Sequence, residues 1–353
     1  MNVSEEIKKI RPFVIAGPCS IETEEQTHTI IQTLKKEGKT QLIRGGIWKP
    51  RTRPDSFEGI GAQGLPWISE ASKKVGIPFA VEVANAKHVE QALRYDTDVL
   101  WIGARTTVNP FAVQEIADAL RGTSIPVMIK NPINPDLNLW IGAFERLQQA
   151  GISDLTAIHR GFSVYKHDTY RNVPTWEIPI ALKQELADIP LICDPSHIAG
   201  RTDLLLEVSQ KAMDLNYNGL MIETHPTPEQ AWSDAKQQIT AEVLTELINK
   251  LVLRSNVMEQ RSFDELDSFR KQVHALDSEL FDILMKRMQI SEEIGRFKKE
   301  HNITILQEEH WKKLLESRLH MAKALHLSDD FVRSILDAIH LESITRQISV
   351  MNR

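Results

Sequence analysis

Residues 190–225 read PLICDPSHIAGRTDLLLEVSQKAMDLNYNGLMIETH: a short apolar run, a polar loop opening on Asp-Pro, a helical pattern, then a second short apolar run ending in Glu-Thr-His. Runs of four to eight β-branched or apolar residues that alternate with amphipathic segments point to strands crossing over through helices, and so to a parallel sheet. The same unit recurs along the chain. Its runs are FVIAG (13–17), QLIRGG (41–46), PFAVEVA (78–84), VLWIGA (99–104), PVMIKN (126–131), LTAIHRG (155–161), PLICDPS (190–196) and GLMIETH (219–225). Between them lie helical patterns such as TIIQTLKKEG, VQEIADALRG, AFERLQQAG and LLLEVSQKAM, several closed by the glycine a helix C-terminus favours. Eight units in about 240 residues predict an α/β fold of the (β/α)8 barrel class. The open doubly wound sheet is the alternative, but no GxGxxG follows the first run. After the eighth run, THPTPEQAW predicts one more helix, with Thr227 and Gln230 as a capping box and Pro228 at its first position.

Beyond about Leu253 the pattern changes to helix without internal proline. Phe269, Val273, Leu276, Leu280, Ile283, Arg287, Ile290, Ile294 and Phe297 follow alternating steps of four and three, the seam of a small helical bundle. Two further helices are expected around 310–326 and 328–350. The expected organisation is a barrel over 1–250, a linker over 251–263 and an all-α bundle over 264–353. Three helices are too thin to bury a long first one, which predicts a homodimer through this domain, with a tetramer left open.

The whole chain has 353 residues, 42% hydrophobic and 25% charged, with a formal net charge of -6. That balance gives no chain-wide electrostatic footprint for nucleic acid. No apolar run reaches the roughly 18 residues of a membrane span, and MNVSEEIKKI lacks a signal-peptide core, so a cytoplasmic protein is expected, with no membrane partner. Two cysteines make no disulfide framework. Cys193, inside LIC, reads as packing.

In a barrel the active site lies at the C-terminal ends of the strands. Cys19 follows the first run, Arg44 and Lys49 end and follow the second, Glu82 lies in the third and Arg105 follows the fourth. Lys130 closes the fifth, Arg160 the sixth, Asp194 and His197 the seventh, and Glu223 the eighth. A single charge at a strand end is usually a solvated loop residue; the repetition around the ring is what points to a site. Arg44, Lys49, Arg51, Arg105, Lys130 and Arg160 would crowd one mouth with positive charge unless anions such as phosphates or carboxylates fill it. Cys19, His197, Glu223 and Asp234 form the mixed donor set of a divalent transition metal, while Cys19 as a nucleophile with His197 as its base is the other reading.

GPCS (17–20), RGGIWKPRT (44–52), IGAR (102–105), DPSHIAGR (194–201) and ETHPTPEQAWSD (223–234) resemble the 3-deoxy-D-arabino-heptulosonate 7-phosphate (DAHP) synthases, in particular their short-barrel branch, over residues 11 to about 250. The sister octulosonate phosphate synthases usually carry KANRS where this chain has KPRT, and their metal-independent members replace the first cysteine by asparagine. The resemblance implies condensation of phosphoenolpyruvate with erythrose 4-phosphate on a divalent metal, Mn, Fe, Co or Zn, held by Cys19, His197, Glu223 and Asp234. It implies Arg105, Lys130 and Arg160 at the phosphoenolpyruvate phosphate, Lys49 and Arg44 near its carboxylate, and Arg51 with Thr52 at the aldose phosphate. TTVNPF after Arg105 departs from the many relatives with Asn directly after that arginine.

Arg287 is the charged member of an apolar stripe, and a buried arginine needs a partner: an internal salt bridge to Glu292 or Glu293, or an anionic ligand. Lys298 lies about 20 degrees around the helix from it, and Ser343 and Gln347 at i and i+4 can face the same pocket. Arg270, about 25 Å along the helix, could join only from a second chain. FRKQVHALDSELFDILMKRMQISEEIGRFKKE with ESITRQ resembles the all-helical chorismate mutases over 264–353. That likeness implies rearrangement of chorismate to prephenate, with Arg287 and the partner's Arg270 on the carboxylates, Lys298 and Gln347 flanking the ether oxygen and Ser343 an accessory contact. Where relatives commonly show an acidic residue and then Arg-Glu, this chain has Gln307, His310 and Trp311. The expectation is a bifunctional enzyme inhibited by prephenate or chorismate, and the alternative is a synthase whose helical domain only dimerises and senses a ligand.

Overall fold

A computed structural model describes residues 2–50, 55, 57–165, 169–254 and 260–352, and the chain divides into two compact units, 1–256 and 257–353. In the first unit the eight runs become β1 (Phe13–Gly17), β2 (Leu42–Gly45), β3 (Phe79–Val83), β4 (Val99–Ile102), β5 (Val127–Lys130), β6 (Leu155–His159), β7 (Leu191–Cys193) and β8 (Gly219–Glu223). Each pairs in parallel with the next, and β1 pairs with β8 to close the barrel, so the open sheet is excluded. Both faces of these strands are buried, which is why the runs are apolar without alternation. The helices return as their ends predict: in Glu24–Glu37 the Thr23 hydroxyl accepts from the Gln26 N–H, and Gly38 stops the helix in the left-handed region.

Strand side chains alternate between two cores. Val14, Ala16, Ile43, Val81 and Leu100 pack outward beneath the helices. Phe13, Ile15, Leu42, Ala80, Trp101, Met128, Ile158, Ile192 and Met221 fill the interior together with Val3 and Ile7 of the helix Val3–Lys9. That helix sits at the N-terminal end, where the backbone N–H groups of Val3 and Ser4 donate to the Asp154 carboxylate just before β6.

Carrying the interior row two residues further reaches the opposite mouth. Two positions beyond Leu42, Ala80, Met128, Ile158, Ile192 and Met221 stand Arg44, Glu82, Lys130, Arg160, Asp194 and Glu223. The strand period of two therefore aims all six into the same opening.

One expectation fails. The segment after β8 forms only a single 3-10 turn at Pro228–Gln230, and Thr227 makes no side-chain cap bond. A second turn follows at Ala235–Gln237, and the helix begins only at Ala241, capped by Thr240. Thr224 bridges to Ile239, so the intervening chain is a loop turned back over the mouth, a path that a continuous helix from residue 228 could not take.

The second unit is three helices, Gln260–Glu300, Glu308–Ala324 and Asp329–Met351. The first and third pack along each other. On the first, Phe269, Val273, Leu276, Leu280, Ile283 and Ile290 are each more than half exposed, so this part of the predicted seam is left largely uncovered among the described residues. No helix among the described residues is long and apolar enough to cross a membrane.

Candidate functional site

The barrel mouth gathers Arg44, Lys49, Arg105, Lys130, Arg160, His197 and Asp234 around one pocket, which Glu82 and Arg171 also line. Arg44 is buried and its Nη2 lies 3.1 Å from Glu223 Oε1. Lys130 Nζ donates to Asp194 Oδ2 at 2.7 Å. Beneath both cations lies the Trp101 ring, with the Arg44 guanidinium 5.2 Å and the Lys130 ammonium 5.9 Å from its centroid. The indole N–H donates to Glu82 Oε2. Arg160 is held by Asn172, whose Oδ1 accepts from Nη1 at 2.6 Å, and burial lowers its pKa to about 10. Arg51 and Thr52 lie outside the described residues.

At the centre the ligating atoms of Cys19, Glu223 and Asp234 lie within 4.8 Å of one another. The Cys19 thiol donates to Asp234 Oδ2 at 3.2 Å, and Lys49 Nζ donates to the Cys19 sulfur at 2.8 Å and to its carbonyl oxygen. His197 stands beside this cluster. Asp194 accepts from its Nδ1 and backbone N–H, which directs the Nε2 lone pair toward Glu223 Oε1, 3.8 Å away. A histidine whose other nitrogen donates to a carboxylate is the usual arrangement for a metal ligand.

Burial and the neighbouring charges set the protonation of these groups. Burial pushes the Cys19 thiol up to about 12, the negative Glu223 adding to the effect. Burial would also raise Asp194, but the charges of His197 and Lys130 override it and hold this carboxyl well below its ordinary range. Glu223 Oε1 is buried and makes no hydrogen bond among the described residues, its nearest charged neighbours being Arg44 at 3.1 Å and His197 at 3.8 Å. A donor set of a thiol, an imidazole and two carboxylates fits a divalent transition metal better than magnesium or calcium. Cys193 is buried in the outer core, as expected.

Sequence reasoning gave no role to Asp194, Asn172, Arg171 or Gln237. Asp194 had a findable signal, the Asp-Pro-Ser-His cap in which its carboxylate accepts from the His197 N–H. The other three sit in irregular loops or turns with no period to read.

In the helical unit Arg287, Lys298, Ser343 and Gln347 line one pocket, with Gln307, His310 and Trp311 on its wall. Arg287 Nη1 donates to the Ser343 hydroxyl at 2.6 Å, and Lys298 Nζ to the Ile305 carbonyl at 2.6 Å. Among the described residues Arg287 forms no salt bridge to Glu292 or Glu293, and Glu292 pairs with Arg296 and Arg346 instead. Gln347 Oε1 is buried without a partner, and the Trp311 ring stacks on His340 at 3.8 Å. Arg270 does not line this pocket.

Residues 8–259 match the DAHP synthetase I family, and residues 269–348 match chorismate mutase type II. The phospho-2-dehydro-3-deoxyheptonate aldolase of Thermotoga maritima is 31% identical over 238 residues, covering 67% of this chain and 68% of that protein. A crystal structure of the DAHP synthase from Thermotoga maritima superposes with a TM-score of 0.61 at 30% identity, over 68% of each chain. The 2-dehydro-3-deoxyphosphooctonate aldolase of Paraburkholderia xenovorans is more distant, 26% identical over 290 residues, covering 74% of this chain and 97% of its own. The chain belongs to the DAHP synthetase I family, its barrel carrying the synthase domain and its C-terminal helices a chorismate mutase type II domain.

Proposed function

We propose that the barrel condenses phosphoenolpyruvate with erythrose 4-phosphate to DAHP and phosphate in a metal-dependent reaction, and that the helical domain rearranges chorismate to prephenate. The observation that carries the first reading is the convergence of Cys19, Glu223 and Asp234 inside a ring of cations. Arg105, Lys130 and Arg160 are assigned to the phosphate of phosphoenolpyruvate, Arg44 and Lys49 to the region of its carboxylate, and Arg51 with Thr52 to the aldose phosphate. This ring offsets the repulsion of two anions and holds them within reach of each other, so that orientation supplies a large share of the barrier reduction. Glu82, fixed by Trp101, bounds the ring on its acidic side. Cys19, His197, Glu223 and Asp234 would hold the metal, which when bound supplies Lewis-acid polarisation of the aldehyde oxygen. Inactivation by a strong chelator, reversed by Mn, Fe, Co or Zn, is the expected result; full activity in chelator after dialysis would overturn the metal reading.

The mutase reading rests on Arg287 and Lys298 sharing a pocket with the orphaned Gln347 carbonyl. A pericyclic step needs no nucleophile, only a held conformer and charge stabilisation at the breaking ether bond. Arg287 and Ser343 face the dianion, Lys298 and Gln347 the ether oxygen, and Arg270 joins from a second copy. The exposed seam from Phe269 to Ile290 supports a homodimer through this domain. Gln307, His310 and Trp311 in the wall keep open a domain that binds chorismate or prephenate without turning it over. Assaying both reactions on the whole chain, with and without prephenate and chorismate, separates the two. Turnover of chorismate is expected, together with inhibition of the synthase, and binding without turnover would reduce the helical domain to a sensor. A cytoplasmic location fits these substrates.

A further inference from the structure

Each carboxylate of the barrel cluster has one oxygen committed to a neighbour and the other directed inward. Asp234 Oδ2 accepts from the Cys19 thiol, while its Oδ1 accepts from Arg171 Nη1 at 3.0 Å. Glu223 Oε1 lies beside Arg44 and His197, while its Oε2 accepts from Gln237 Nε2 at 2.7 Å. The carbonyl oxygen of that same Gln237 amide accepts from Arg171 Nη1 at 2.6 Å. One guanidinium nitrogen therefore reaches Asp234 directly and Glu223 through a single buried amide. The amide can be oriented only one way, because arginine has no acceptor and a carboxylate has no donor.

The local backbone makes this reach possible. Asp234 takes a left-handed conformation, φ 49°, and begins the 3-10 turn that ends at Gln237. Gln237 is 1% exposed, whereas Arg171 comes from the separate loop after β6 and keeps 41% of its side chain in solvent. Arg171 packs against Gly200, where a Cβ would meet its side chain at 2.4 Å, so the arginine stem passes over backbone that only glycine leaves clear.

We propose that Arg171, acting through Asp234 and Gln237, is the positioning residue that aims both carboxylate ligands at the metal of the barrel, and so sets how tightly the ion is held. The inference rests on the metal reading above. Groups standing behind metal ligands typically contribute 10–100-fold in metal affinity. Arg171 is half exposed, so Arg171→Met should fold while losing both contacts. Arg171→Lys keeps charge and donors on a shorter head.

The test is metal affinity itself, measured on the full chain by competition with a chromogenic chelator for Zn2+, with Co2+ absorption as a second readout of thiolate coordination. Arg171→Met should release Zn2+ to the chelator with affinity weakened 10–100-fold and a faster off-rate, with Arg171→Lys intermediate. The Co2+–thiolate absorption should persist with altered shape, because Cys19 still binds. Unchanged affinity in Arg171→Met overturns the proposal. If that unchanged affinity comes with a raised KM for either phosphorylated substrate, Arg171 is a substrate cation instead. A wild-type chain that takes up no Zn2+ or Co2+ defeats the metal reading itself, an outcome distinct from failure of the Arg171 relay.

Discussion

Replacing Asp194 by Asn leaves shape almost unchanged and removes one charge at the most heavily used carboxylate of the mouth. Asp194 is fully buried and accepts from Lys130 Nζ at 2.7 Å, from His197 Nδ1 and from the His197 backbone N–H. Asparagine caps helices as well as aspartate, so the short helix Pro195–Ala199 keeps its cap and loss of capping cannot be the source of any effect. What changes is Lys130, only 4% exposed, whose ammonium then has the Trp101 face but no anion. Breaking a buried pair from one side costs about 3–5 kcal/mol, and the Trp101 contact, already made in the wild-type chain, offsets none of it, so a loss of that size is expected. Six of the seven tryptophans, all but Trp311, belong to the barrel, so urea unfolding followed by tryptophan fluorescence reports on this unit. Lys130→Met should lose less, because Asp194 keeps His197, and the double variant should recover much of the difference, with a coupling of roughly 2–3 kcal/mol. Additive single effects, within about 0.5 kcal/mol, would show that the pair contributes no more than a surface bridge and refute the reasoning.

Cys19→Ala should abolish synthase activity and metal retention while chorismate turnover by the same chain stays near wild type; loss of both activities together would point to misfolding. His159 Nε2 donates to the Pro174 carbonyl and its Nδ1 accepts from the Tyr217 hydroxyl in full burial, and burial lowers its pKa to about 3 against 6.5 unfolded. The unfolded chain therefore takes up this proton first as pH falls, so stability is lost from about pH 6.5 downward, on the order of 2 kcal/mol by pH 5. His159→Gln should flatten that part of the urea midpoint against pH, and a His159 ring resonance titrating near 6.5 in the folded protein would contradict it. At Gly295 a Cβ would meet Gln347 Cα at 3.0 Å. Gly295→Ala gains about 1 kcal/mol of helix propensity but pushes the third helix off by tenths of an ångström, so thermal stability should change little while chorismate turnover falls roughly 10-fold. Wild-type turnover in this variant would place Gln347 away from the reacting atoms.

The barrel was legible because its signal is repeated. Eight apolar runs separated by helical patterns specify the crossovers, and the period of two then carries Ala80 to Glu82, Met128 to Lys130 and Ile192 to Asp194 without further information. The helical pocket was legible for a similar reason, since steps of three and four put Arg287 and Lys298 on one face and Ser343 and Gln347 on another. The helix expected from Thr227 was not, because capping signals are local and compete with tertiary constraints. Thr-Pro-Glu-Gln is a good helix start, yet the chain here must turn back so that Asp234 reaches Cys19.

Each strand of a closed barrel can aim only one residue per layer into the mouth, at an angle set by the strand tilt, which suffices to gather a ring of charges. It does not suffice to orient a carboxylate to within the tolerance of a coordination bond, since the torsion that turns the carboxyl group is broad. Fixing it takes a donor on the outer oxygen, and a strand-end neighbour already pointing inward cannot supply one from behind. Such donors must come from backbone leaving the sheet and returning, as the 171–172 loop and the 234–237 turn do, with a left-handed Asp234 where a helix-forming sequence would otherwise continue. Those segments have no period, so the residues that gather the site are written in the pattern of the chain, while those that orient it appear only when the chain is folded.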